Sequence, residues 1–162
     1  MNSPRTLFAT VRARLEGRPD SEHAQALVRL IIASLILTYL ILLSFGGHGA
    51  DVDCMLKVMA AEVVVAAGIM AAILARPGVS HLRRWIGMIT DYATLATLML
   101  LSAPELSPLY VIILWVTIGN GMRYGRRYLA SASALAALSF LAVITFSDYW
   151  QQQRYLAAGL LI

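Results

Sequence analysis

The sequence predicts an all-α protein, a polytopic bundle of transmembrane helices with five spans and the start of a sixth. Three observations predict it. Hydrophobic residues make up 59% of the 162-residue chain and charged residues only 14%, against about 25% charged in ordinary soluble domains. The apolar residues gather into runs separated by short polar turns. The basic residues are unevenly placed: eleven of the thirteen Lys and Arg fall in the N-terminal segment through Arg29, in 76–84 and in 123–127. The positive-inside rule places those segments, and the N-terminus, on the cytoplasmic side of the membrane.

Residues 1–23 form a basic cytoplasmic segment. Leu7, Phe8, Val11 and Leu15 share a helical face, which suits a short helix lying on anionic lipid; a loosely ordered basic leader is the alternative. Four arginines and no apolar core in the first twenty residues argue against a cleavable signal peptide. Asp20, Ser21 and Glu22 offer a cap and negative charge to the next helix. Residues 24–162 form the membrane domain, with spans at about 24–45, 55–75, 85–101, 108–122 and 128–146. A truncated one at 155–162 suggests that the chain continues in a longer protein.

Arg29 lies where the first span begins and can snorkel to the interface. Ser34, Thr38 and Ser44 interrupt that span with hydroxyls that can bond back to helix carbonyls. The fourth span is short: Leu109 to Gly119 covers only about 16 Å. It must continue through Asn120 to Tyr124, thin the bilayer, or be a broken helix. Gly119, Asn120 and Gly121 mark the expected bend or stop. The fifth span is rich in alanine and serine, which lets helices approach closely in lipid. Tyr149 and Trp150 read as interfacial anchors.

Glu62 and Asp91 are the residues that stand out, because a carboxylate within a span is costly and usually faces a bundle interior or cavity. Counting depth from opposite ends of their spans separates them by about 10–15 Å, which argues against a shared proton or metal site and leaves Arg123 as the partner of Asp91. Each acid serves helix packing, signal binding or, less simply, ion transport. Asn120 suits a hydrogen bond across helices or a cap, and Trp115 and Tyr92 suit packing or a lipid-tail pocket. The three histidines do not cluster, the single cysteine, Cys54, excludes an internal disulfide, and no catalytic, metal, nucleotide or nucleic-acid motif is present.

DSEHAQ at 20–25, RPGVSHLRRWIGM at 76–88 with Asp91 and Tyr92, SPLY at 107–110 and WVTIGNGMRYG at 115–125 resemble the membrane input domain of RpfC-type hybrid sensor histidine kinases of the Xanthomonas and Stenotrophomonas group. The resemblance runs in the same order along nearly the whole chain. It implies detection of diffusible signal factor, a cis-2-unsaturated fatty acid used in quorum sensing. It also implies a homodimer and phosphotransfer through receiver and phosphotransfer domains to a response regulator, with restraint of the signal synthase. The kinase motifs are absent from residues 1–162, so ATP and magnesium belong to a domain outside this chain, and the chain has no cofactor of its own. The resemblance assigns Asp20, Ser21 and Glu22 to a juxtamembrane sensing segment. A carboxylate ligand beside two acids would be repelled; Arg29, Arg83, Arg84 or Arg123 is the more natural counter-charge. The signal-sensing candidates are therefore Asp20, Ser21, Glu22, Arg29, Glu62, Asp91, Trp115, Asn120 and Arg123, with the acyl tail between spans and an arginine at its head. The alternatives are a stand-alone membrane regulatory protein sharing this domain and, third, an ion-coupled carrier built on Glu62 and Asp91.

Overall fold

The computed structural model describes residues 21–46, 50–102 and 106–161. The N-terminal amphipathic helix and Asp20 lie outside them. The described chain is helical: α1 (Glu22–Ser44), α2 (Ala50–Ala75), α3 (His81–Leu101), a 3-10 turn (Ser107–Leu109), α4 (Tyr110–Tyr124), α5 (Arg126–Phe146), α6 (Asp148–Gln152) and α7 (Arg154–Leu161). Helices α1, α3 and α5 run one way and α2 and α4 the other, as short connections between long helices require.

Helix α3 is the hub. It packs against α2, α4 and α5, and Met88, Tyr92, Leu95, Leu98 and Met99 carry it into the main apolar core with Leu40, Met55, Met59, Ile113, Phe140 and Val143. Ser80 caps its start, accepting from the Arg83 N–H. Helix α1 packs mainly on α2 and turns Leu27, Ile31, Leu35 and Leu42 outward. Outward apolar rows are what lipid-facing helices need.

Among the described residues, three helices are long and apolar enough to cross a membrane: Glu22–Ser44, Asp51–Ala75 and Arg126–Phe146. The chain is thus consistent with a membrane-embedded protein. The expected five spans and a sixth begun are overturned. Helix α3 has the length, but Arg83, Arg84 and Asp91 and three threonines dilute its apolar character. Helix α4 has 15 residues and α7 has 8, about 22 Å and 12 Å at 1.5 Å per residue, short of the ~30 Å hydrocarbon core.

Two local expectations also change. Helix α4 does not break at Gly119–Gly121 but runs through to Tyr124. The break is at Gly125, whose φ of 87° suits glycine alone, and α5 begins at the next residue. Beside it, Gly121 lies so close to Leu129 that an added Cβ would sit 2.6 Å from the leucine Cδ1. Trp150 is not an interfacial anchor but is buried, edge-on to Phe140 with centroids 5.1 Å apart. Tyr110 meets Phe140 from the other side and donates to the Leu160 carbonyl, which fastens α7 to the bundle.

Candidate functional site

The arginine-rich end of the bundle is drawn together around one carboxylate. Glu22 is 3% exposed and receives Arg83 Nη2 at 2.8 Å and Arg84 Nε at 2.6 Å. The Ser80 N–H donates to it as well, at 3.1 Å. Arg83 also donates to the carbonyls of Arg76 and Gly78, closing the loop before α3. The Arg84 guanidinium lies 4.1 Å from the centroid of the Tyr124 ring, a cation–π contact, and the Tyr128 hydroxyl is 2.6 Å from His81 Nδ1. Four helices are thereby tied at one end. Glu22 is a tether in this arrangement, while Ser21 precedes α1 without a side-chain capping bond.

One and two turns further in, α1, α2, α3 and α4 line a half-open cleft of about 60 Å³. Its polar wall carries Gln25, Arg29, Glu62, Asp91, Thr94 and Arg123; Ile32, Ile36, Ile112 and Val116 make much of its apolar side, and Trp115, 61% exposed, stands at its edge. A smaller recess behind it shares Gln25 and Arg29 with the Glu22 knot.

Arg29 and Asp91 form a bidentate pair, Nε to Oδ1 and Nη2 to Oδ2, both at 2.7 Å. The planar fork matches a carboxylate in this way. It fits because position 87 is glycine: an added Cβ would fall 2.3 Å from Arg29 Nη1. Asp91 is thus paired to Arg29 and not to Arg123. The spacing explains the match. Helices α1 and α3 are parallel, and Glu22 to Arg29 and Arg84 to Asp91 are both seven-residue steps.

Glu62 is 4% exposed and accepts from the Thr94 hydroxyl at 3.1 Å through Oε2; its Oε1 meets no N–H or hydroxyl donor, and its carboxyl stands close enough to Asp91 for the two acids to share a proton. The expected wide separation of the two acids is therefore corrected: Glu62 bonds a residue one turn from Asp91 in the same cleft wall. Glu62 lies thirteen residues before the end of α2 and Thr94 thirteen after the start of α3, so the hairpin joining the two helices brings them level.

Asn120 makes the expected bond across helices. Its Nδ2 donates to the Val116 carbonyl at 2.8 Å, and its Oδ1 accepts from Gln25 Nε2 at 3.0 Å. Tyr92 does not line the cleft; its hydroxyl is 2.7 Å from Thr117 Oγ1 in the core. Arg123 lines the cleft and forms no ion pair among the described residues. The sequence missed Gln25, Thr94 and Gly87, and it offered Arg83 and Arg84 as counter-charges for a ligand, whereas the structure gives them to Glu22; the seven-residue offset between the two ion pairs is the signal that could have paired them. Among the described residues no group of three or more His, Cys, Asp or Glu could hold a metal ion. The cleft can hold an amphiphile with an acidic head and an apolar tail. It holds no nucleophile with an adjacent base.

No family model matches the chain, and no solved structure matches it. The chain is 45% identical over 152 residues to the sensory/regulatory protein RpfC of Xanthomonas campestris pv. campestris, in each of two strains. The match takes in 94% of this chain and 21% of the relatives' length, so the chain spans about a fifth of the proteins it matches. Along the segment that it shares with them, the chain is similar to the RpfC sensory/regulatory proteins.

Proposed function

We propose that this chain is the membrane sensory segment of a two-component quorum-sensing protein, and that the cleft between α1, α2, α3 and α4 receives its fatty-acid signal. One observation carries the reading: an apolar cleft whose polar wall ends in Arg123, a cation without an ion-pair partner among the described residues. A carboxylate head placed at Arg123 supplies the missing counter-charge. The acyl tail of a cis-2-unsaturated fatty acid then runs beside Ile32, Ile36, Ile112 and Val116.

Of the remaining sequence candidates, Glu22 shapes the site from outside by fixing the ends of α1 and α3. Arg29 and Asp91 hold the middle of α1 against the hub. Trp115 stands at the mouth, Asn120 positions Gln25, and Ser21 leads into the tether at Glu22. The arginine-rich end faces the cytoplasm of a bacterial inner membrane in this reading, because Arg76, Arg83, Arg84, Arg123, Arg126 and Arg127 all gather there. Homodimerisation, phosphotransfer to a response regulator and restraint of a signal synthase belong to the rest of such a protein.

The test is direct binding. The chain in lipid nanodiscs is titrated with a twelve-carbon cis-2-unsaturated fatty acid. Arg123→Glu is expected to weaken binding at least tenfold with unchanged helical circular dichroism. Binding of unaltered strength in that variant overturns the assignment of the head group to Arg123.

A further inference from the structure

Gln25 is more than nine-tenths buried and lines the cleft. Its amide orientation is set by its neighbours. Asn120 Nδ2 is committed to the Val116 carbonyl, so the Asn120 side chain offers only its oxygen to Gln25. Gln25 must answer with Nε2, and its Oε1 is left as a buried acceptor without a partner. This polarity follows from the hydrogen-bond network rather than from the atoms' appearance.

The acceptor stands at the depth of the free cation. Arg123 is three residues from Asn120 on α4, an axial step of about 4.5 Å, and Asn120 touches Gln25. The other acceptor without an N–H or hydroxyl donor, Glu62 Oε1, is deeper. From Gln25 to Arg29 is about 6 Å along α1, and from Asp91 to Thr94 a further 4.5 Å along α3. A group on the first carbons of an acyl chain held at Arg123 therefore reaches Gln25 and not Glu62.

Resting on the reading of the cleft as a fatty-acid site, we infer that it also takes hydroxylated fatty acids as ligands in their own right, through a hydroxyl close to the carboxylate that donates to Gln25 Oε1. Arg123 holds the carboxylate, Gln25 accepts from the hydroxyl, and the tail follows the same apolar wall. A chain without that donor leaves the amide oxygen buried and unpaired. Sites built to bond a ligand hydroxyl discriminate strongly against analogues that lack it. A hydroxy acid thus competes with an unsubstituted or unsaturated signal for one cleft.

The probes are decanoate and 3-hydroxydecanoate, titrated below their aggregation concentrations into the chain in phosphatidylcholine nanodiscs. The expected result is a dissociation constant at least tenfold lower for the hydroxy acid. In Gln25→Leu the two acids are expected to bind within about twofold of each other, a ratio that does not depend on the fraction of protein folded. Equal binding of both acids to the unaltered chain overturns this inference while leaving the fatty-acid reading standing. A preference that persists in Gln25→Leu overturns it as well. Failure of both acids to bind overturns both readings.

Discussion

The knot at the arginine-rich end and the polar wall of the cleft are built from the same residue types and finished differently. Around Glu22 both carboxylate oxygens are engaged, by two guanidinium groups and a backbone N–H, and an aromatic ring covers Arg84. In the cleft Arg29 and Asp91 satisfy each other, but Glu62 Oε1 and Gln25 Oε1 meet no N–H or hydroxyl donor and Arg123 has no ion pair among the described residues. Buried polar groups in folded proteins are nearly always paired. A carboxylate engaged through both oxygens fixes helices even though Arg83 Nε beside it is buried without a partner; unmet acceptors facing open volume are a place for something else to bind.

Substitutions can sharpen that contrast. The largest effect belongs to the knot. Glu22→Ala leaves two partly buried guanidinium groups facing one another, and is expected to cost about 3 kcal/mol of stability, read as a lowered thermal midpoint in detergent. An unchanged midpoint would show that the knot does not hold the helices. Next is the ion pair of the cleft wall. Asp91→Asn is expected to cost about 2–3 kcal/mol, most of it recovered when Arg29→Met is added, because the loss comes from stranding one charge. A double variant as weak as the single one would contradict this. The smallest is Gly87→Ala. The new methyl meets only the mobile tip of Arg29, so the tip moves and the fork on Asp91 is lost, at a cost of about 1 kcal/mol. In an Arg29→Met background the same change is expected to be nearly neutral.

Much of the framework was legible in the sequence. The helix boundaries fall within about five residues of the apolar runs, and the arginines gather at one end as their spacing said. What failed was depth. Trp85 was taken as the start of the third helix and Met55 as the start of the second. The helices begin at His81 and Ala50, because Ser80 caps α3 and Asp51 and Asp53 lie in an added first turn of α2 around the buried Val52. Those extra turns bring Glu62 and Asp91 into one wall. Hydropathy also could not reveal which helix forms the hub. The moderately polar α3 packs on three helices yet keeps Leu82, Trp85, Ile86 and Ile89 exposed, and it is its composition that sets it apart from the three spans. Gln25 gave no signal, since a glutamine near a helix start is ordinarily a solvated residue.

Only Gly125 separates α4 from α5. A longer loop would have slack and could absorb a shift of one helix without disturbing the other. A single residue in a glycine-only conformation cannot, and Leu129 seated on Gly121 locks the two helices side by side. A movement of α4 would therefore have to be taken up by α5, whose 21 residues run to the opposite end of the bundle.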